Sequence, residues 1–511
     1  MQLPSLTTIL VTVVIILTIR FILKYFILPY IKLMRYKNFK GGHFLYKPLL
    51  GEFIDLQADL NAHGDLYAST IKRIEENPNI RAIFFPFLAT VRVNLYDPEL
   101  IKEFFSKTAK FIKDPVMFAP MSRMLKSGLV FSEGEKWKSQ RKLISQVFHF
   151  DYINACLPII NLKCLEWLDT YCKNESKVTV DVKKTLKMYT SKTVWRIFFG
   201  EEEIDSEAET ERLIEMMLDN ASIERCYSLL NLFFGPKIFD LGLRAVDRKY
   251  NHEARLIENF ARKKLNYFKE KLAKEQDSPS DKHSRNLIER LLIEASKQEE
   301  GGETVSDFEI MNQIMTFLVA GTDTTMNLLM LSQYHLAFYP EVQKKLREEI
   351  MQHVGKTGEI TYEKLLKLDY LTAILKETLR LYGPADVTFP RTAIEDVMLG
   401  DLVVRKGDMV SATFKIVHSN PKYFTNPREF RPERWIEKTD PGVKDPFSFT
   451  PFAAGARRCI GEQLAYIEAK IMVVELVRRY HIDIQRPFQL RMGYGLVYEN
   501  GEPMIGIYTK L

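Results

Sequence analysis

The chain opens on a continuous apolar run. Residues 6–28 (LTTILVTVVIILTIRFILKYFIL) carry only Arg20, Lys24 and a few threonines among apolar side chains. As a helix this run is about 34 Å long, enough to cross a bilayer core of about 30 Å. Arg20 and Lys24 lie near one end, one turn apart, where long stems reach the headgroups. Residues 1–19 hold no charged side chain, whereas Lys32, Arg35, Lys37 and Lys40 follow the run. The positive-inside rule then predicts a single span with a lumenal N-terminus and a cytosolic body. A cleaved signal peptide would want a basic segment ahead of the apolar run and small residues at a cleavage site, and neither is present. A buried helix is the other alternative, but such helices seldom open a chain with so continuous a run.

The remaining pattern predicts a mainly α protein of α+β type: an anchor over 1–31, a linker over 32–50 and one large helical domain with small peripheral sheets over 51–511. Residues 80–95 (IRAIFFPFLATVRVNL) read as two short strands around a proline-containing turn, and Asp97-Pro98 opens a helix as N-cap and first helical residue. From about 135 to 350 the period is overwhelmingly helical, with the polar stretch 271–285 as its most linker-like break. Strand signals return near 390–412, irregular proline-dotted sequence fills 418–451, a helix follows over 460–479, and the tail reads as β-rich. No internal repeat is evident.

One predicted helix stands out. From Ser306 to Pro340 there is no proline, and Ser306 with Glu309 forms an S-x-x-E capping box, so a single helix of about 48 Å crosses the body. Its apolar middle is interrupted by Ala320-Gly321-Thr322-Asp323-Thr324-Thr325. Glycine costs about 1 kcal/mol relative to alanine in a helix, and buried acids and hydroxyls need partners. The stretch is either a polar kink or a groove where a ligand approaches the backbone, with an acid–alcohol pair for moving protons.

Composition narrows the classes. The 511 residues are 46% hydrophobic and 27% charged with a formal net charge of +6, a globular profile that does not point to nucleic acid. Five cysteines are scattered without CxxC or zinc-like spacing, which argues against a disulfide framework and for a reducing compartment. Cys156, Cys164, Cys172 and Cys226 read as small core hydrophobes. Cys459 has the distinctive neighbourhood, PFAAGARRCIGEQLAYIEAK (451–470), where two glycines suggest something large pressing on the backbone ahead of a helix.

These residues bring a resemblance. Phe452-x-x-Gly455-x-Arg457-x-Cys459-x-Gly461 is similar to the haem-binding signature of the cytochromes P450, and Ala320-Gly321-x-Asp323-Thr324-Thr325 to that family's oxygen-activating helix motif. Glu377-x-x-Arg380 resembles its E-x-x-R motif, Pro432-Glu433-Arg434-Trp435 its P-E-R-F segment with Trp for Phe, and Trp137-x-x-x-Arg141 its early helix motif. All five occur in the family's order between residues 137 and 461. The proline-rich hinge of microsomal relatives is reduced here to FKGGHFLYKPLLG.

The resemblance implies a cytochrome P450 fold holding haem b, with Cys459 as thiolate ligand of the iron. A helix N-terminus and its free N–H groups favour a thiolate, and thiolate donation favours O–O cleavage. Gly455 would permit the tight turn, Gly461 the close passage beneath the porphyrin, and Phe452 would shield the sulfur. Ala320 and Gly321 would border the cofactor. Trp137, Arg141, Arg391 and Arg457 would hold the propionates, the competing reading for each being an ordinary surface charge. Glu377, Arg380 and Arg434 would form a buried structural triad, and Asp323 and Thr324 the catalytic proton relay.

The family position assigns substrate contact to roughly residues 111–125, 315–320, 385–389 and 494–497, mostly apolar. Asp386 is the exception, a polar handle or a solvated charge. The implied activity is insertion of one oxygen atom of O2 into a lipophilic substrate such as a fatty acid, sterol or xenobiotic. Electrons would come from an NADPH–cytochrome P450 reductase, with cytochrome b5 as an optional donor, because the chain has no nucleotide-binding glycine motif. Lys138, Lys142, Arg458 and Lys470 are the candidate docking patch, against a plain solvated charge run. The implied location is the endoplasmic reticulum membrane. A haem-thiolate isomerase or dehydratase of oxygenated lipids and a non-catalytic haem or lipid carrier are the alternatives; the intact Asp323–Thr324 pair argues against both.

Overall fold

The computed structural model describes residues 6–114, 127–200, 212–213, 215–216, 241–275, 285–300, 305–494 and 497–511. Cys226, much of the 271–285 break and most of segment 111–125 therefore lie outside the described residues.

Helices that position the site are labelled in chain order: α1 (Leu6–Ile22), α2 (Leu28–Leu33), α3 (Gly134–Val147), α4 (Leu157–Tyr171), α5 (Val182–Phe199), α6 (Asp307–Phe338), α7 (Asp369–Tyr382) and α8 (Glu462–Arg479). The expected long helix is α6, 32 residues without a break in α-helical structure through 320–325. Its capping box is complete, with Glu309 N–H donating to Ser306 Oγ at 3.3 Å and Ser306 N–H to Glu309 Oε2 at 3.1 Å. α5 packs along α6, α4 and α8 pack on each other and on that pair, and α7 leans on α6. α6 buries polar side chains along its whole length, from Asn312 and Gln313 to Gln333 and His335, so those at its centre are informative by their surroundings and not by rarity.

The strands are β1 (Gly42–Phe44), β2 (Ala82–Phe87), β3 (Thr90–Leu95), β4 (Phe111–Lys113), β5 (Lys177–Asp181), β6 (Arg391–Ala393), β7 (Val397–Leu399), β8 (Leu402–Val404), β9 (Met409–Ala412), β10 (Tyr480–Ile484), β11 (Met492–Tyr494), β12 (Tyr498–Asn500) and β13 (Ile505–Lys510). They form a six-stranded sheet in the order β1-β2-β3-β9-β6-β4, a three-stranded sheet β10-β13-β5, and the pairs β11-β12 and β7-β8. The proline expected in the β2–β3 turn lies instead inside β2, opposite Val91. It is tolerated there because β1 pairs only with Ala82–Phe84, leaving that edge of β2 free at Pro86. Asp97 caps the Pro98–Ser106 helix as expected, accepting from Glu99 N–H at 3.0 Å and Leu100 N–H at 3.3 Å.

Residues Thr7–Tyr36 make one helix of 30 residues, apolar enough to cross a membrane and only 6% buried over its apolar window. α6 is also long and apolar enough, but 78% of its window is buried inside the body. The segment read as a linker is packed on the body: Leu33 and Tyr36 join the core of the large sheet, and β1 pairs with β2.

Candidate functional site

The loop ahead of α8 is folded back on itself. Cys459 N–H donates to the Phe452 carbonyl at 2.9 Å and Arg458 N–H to the Gly455 carbonyl at 3.1 Å. Gly455 has φ +66°, and a Cβ there would lie 3.1 Å from the Phe105 carbonyl oxygen, so both conformation and space demand glycine. Gly461 is the N-cap of α8, and its Cβ would meet only Cys459 Sγ, at 4.0 Å. The Phe452 ring packs 5.3 Å from Tyr466.

Protein atoms crowd around Cys459, yet the residue keeps accessible surface. Burial pushes the thiol up, while the Gly461 N–H and the charges of Arg141 and Arg458 pull it down. The other described cysteines are buried, and burial raises the thiols of Cys156, Cys164 and Cys172, as inert core residues require.

α6 has an accessible patch of its own. Between Ile310 and Gln333 every residue is buried except Ala320, Gly321 and Thr324, whose spacing puts them on one face. Thr324 Oγ donates to the Ala320 carbonyl at 2.6 Å. A Cβ on Gly321 would lie 2.9 Å from Val194 Cγ2, so this glycine also serves the α5–α6 contact. Asp323 is buried and turned toward α5, where Lys187 Nζ lies 3.8 Å from Oδ1 and keeps a third of its side chain exposed.

A cluster of cations forms one rim. Arg391 Nη1 lies 3.2 Å from Glu133 Oε1, Arg457 Nη2 contacts Glu133 Oε2, and Lys113 Nζ lies 3.5 Å from Glu133 Oε1. Arg457 also stacks over the Trp137 ring at 4.1 Å. Three cations thus share one carboxylate. The crowding shows in their proton affinities: burial, then the Arg391 charge, lowers Lys113 to about 7, and burial outweighs Glu133 to lower Arg457 to about 10. Such a rim suits a group carrying further carboxylates. Arg141 sits beside it and donates to the Arg458 carbonyl at 2.9 Å, tying α3 to the cysteine loop. A crowded thiol, an accessible small-residue face on α6 and an under-neutralised cationic rim together fit a flat macrocycle with acidic substituents.

Neither Lys113 nor Glu133 is evident from the sequence. Lys113 pairs directly with Arg391 across β4–β6, a register only the sheet reveals. Lys187 is likewise placed by the α5–α6 packing alone.

The expected triad is assembled. Glu377, Arg380 and Arg434 are each at most 1% exposed. Glu377 accepts from Arg380 Nε and Nη2 at 3.0 and 2.7 Å and from Arg434 Nε at 2.8 Å. Trp435 donates its indole N–H to Glu377 Oε2 at 2.9 Å. Arg380 also binds the carbonyls of His418, Pro427 and Glu429, bracing the irregular segment that precedes the cysteine loop.

Two sequence expectations need correction. Asp386 is not solvated: it is 4% exposed, and its charge acts on buried Lys415 and on Tyr498. Its neighbours Ala385 and Phe389 are the accessible members of that strand-like segment, and Phe389 packs 6.0 Å from Phe131. Lys470 does not belong to a surface patch, because it is 8% exposed and donates to the Leu365 carbonyl at 2.7 Å. Lys138, Lys142 and Arg458 are exposed, with Lys138 paired to Glu135 and Arg458 bound at both carboxylate oxygens of Glu462.

Comparison with known proteins agrees with this geometry. The family model Cytochrome P450 matches residues 83–496. The 7-deoxyloganic acid hydroxylase of Catharanthus roseus is 31% identical over 407 residues, which is 77% of this chain and 75% of that protein. Cytochrome P450 3A18 of Rattus norvegicus is 28% identical over 411 residues, 78% of each chain. Cytochrome P450 3A7 of Homo sapiens is 29% identical over 431 residues, 81% of each.

Proposed function

The chain belongs to the cytochrome P450 family of monooxygenases, and from that premise we propose that it carries haem b on the Cys459 thiolate and inserts one oxygen atom of O2 into a lipophilic substrate. The observation that carries this reading is the crowded thiol with an accessible α6 face and a rim of three cations around one carboxylate. When bound, the haem supplies the activation of O2.

The chain's own residues do the rest. Arg391, Arg457, Lys113 and Arg141, with Trp137 beneath Arg457, hold the propionates; Ala320 and Gly461 leave room for the ring, Phe452 shields the sulfur, Gly455 makes the turn against Phe105, and Gly321 serves the contact with Val194 beside the accessible face. Asp323 takes protons from the Lys187 side, where the side chain reaches solvent, and as one passes to Thr324 Oγ the hydroxyl's own proton leaves the Ala320 carbonyl for the acceptor, so Thr324 ends neutral. Because that hydroxyl already donates to the Ala320 carbonyl, its lone pairs are free to accept. Glu377, Arg380 and Arg434 act only as scaffold.

The wall offered to substrate supports a lipophilic one, since Ala320, Phe131, Val387 and Phe389 are apolar and Asp386 is turned inward. Reducing equivalents reach the protein from NADPH through a separate reductase, docked on the side of Lys138, Lys142 and Arg458. The helix Thr7–Tyr36 anchors it in the endoplasmic reticulum membrane, with the body in the cytosol.

The test is the ferrous–CO spectrum of wild type and Cys459→Ser, followed by reconstitution with reductase and NADPH. A thiolate-type spectrum in wild type alone is expected, with binding spectra for fatty acids, sterols and xenobiotics identifying the substrate class. A Cys459→Ser protein that keeps that spectrum overturns the assignment.

A further inference from the structure

The helix Thr7–Tyr36 is about 45 Å long, and a bilayer core takes up about 30 Å, or about 20 residues. About ten residues remain on the body side. Within them Pro29, Leu33 and Tyr36 are buried, spaced i, i+4 and i+7 along one helix face. Leu33 and Tyr36 are 2% and 4% exposed, inserted among Phe84, Val91 and Val93 of the large sheet.

Polar contacts fix the seat. Lys32 Nζ donates to the Ala89 carbonyl in the β2–β3 turn at 2.9 Å. Tyr36 stacks on Phe84 at 4.8 Å, donates its hydroxyl to Asp408 Oδ2 at 2.7 Å, and accepts from the Arg405 N–H at 3.1 Å. Asp408 is itself buried and also accepts from Thr90 Oγ at 3.1 Å. Higher up, Tyr46 donates to the Phe26 carbonyl at 3.2 Å and its ring meets Tyr30 at 4.9 Å.

The helix passes Pro29 without breaking. Residues Leu23–Ile27 form a π turn, and Leu28 N–H donates to the Leu23 carbonyl. Proline lacks an N–H and crowds the carbonyl four residues earlier, and a widened turn relieves that conflict where a sharp kink would otherwise form.

We propose that Thr7–Tyr36 is a rigid strut rather than a tether: its membrane half and its docked half move as one body, so the Pro29–Leu33–Tyr36 face and the Tyr36–Asp408 bond set the tilt of the catalytic domain on the bilayer. This rests on the membrane-anchor reading above. A lipid surface is then met at one angle, and motion of the domain requires undocking, not swivelling.

The experiment uses full-length, haem-loaded protein in aligned phosphatidylcholine bilayers and reads the linear dichroism of the haem absorption. Wild type should show a defined dichroism. A Gly-Ser-Gly-Ser insertion between Ile27 and Leu28, upstream of the docked face, should abolish most of it at unchanged haem content. Tyr36→Phe, which keeps the ring, should raise tryptic cleavage after Arg35 and Lys37 at least about tenfold, because the bond to the buried Asp408 carboxylate and the one from the Arg405 N–H are both lost. Equal dichroism in wild type and the insertion variant, or no change in cleavage, overturns the strut. Release of wild type by alkaline carbonate would overturn the anchor reading instead, and the strut with it.

Discussion

Glu377→Gln isolates the work of the buried triad. The carboxylate accepts five hydrogen bonds: two from Arg380, one each from Arg434 and Trp435 side chains, and one from the Arg431 N–H at 3.1 Å. A glutamine keeps the shape but loses the charge, and its amide N–H2 faces donors. Arg434 retains Asp440 as a partner, whereas Arg380 is left with carbonyls alone. Breaking such a buried pair costs about 3–5 kcal/mol, against a total of about 5–15 kcal/mol for a folded domain. Trp435→Phe removes a single bond to the same charge and should cost about 1.5–3 kcal/mol. Urea midpoints and haem content of the purified proteins are the measurements. Glu377→Gln should give little haem-loaded protein and Trp435→Phe an intermediate loss. Normal haem content and midpoint with lost turnover in Glu377→Gln would refute the scaffold role and place the carboxylate in the chemistry.

For the relay, Thr324→Ala should leave haem content and substrate binding nearly intact while diverting NADPH electrons from product to hydrogen peroxide, and Lys187→Met should slow oxygen consumption; unchanged product per NADPH in the first would sink the pathway. Lys113 gives a pH signature in haem-free protein. Its folded value of about 7 lies below the ordinary lysine value of 10.5, so between these the unfolded chain holds more protons and stability should rise with pH. Lys113→Met should flatten that rise, and an identical pH–stability curve in the variant would exclude the buried cation.

Much of this was written locally in the chain. The Ser306–Glu309 box, the Asp97-Pro98 start and the glycine-framed Cys459 loop each encode their own geometry. What the sequence hid depends on partners far away. Lys113 meets Arg391 only through a sheet register, and Glu133 then serves three cations that no single motif brings together. Lys470 resembled a surface charge because its burial depends on the carbonyl of Leu365, 105 positions away. The docked helix is a different case: residues 32–50 read as a linker, yet Pro29, Leu33 and Tyr36 already held a helical spacing.

The central place of β13 in the β10-β13-β5 sheet bears on biosynthesis. Among the described strands β5 pairs with β13 alone, with Asp181 opposite Ile505 and Val180 opposite Gly506. At about 10 residues per second a ribosome needs about half a minute to make the intervening stretch. Throughout that time the nascent chain displays β5 as an open strand edge, with Val178 and Val180 uncovered beside it. Closure of this part of the fold is therefore deferred until the last strand emerges, and loop-closure entropy makes so distant a pairing slow. A nascent chain in this state is the form most exposed to aggregation, and the one for which chaperone supply should matter most.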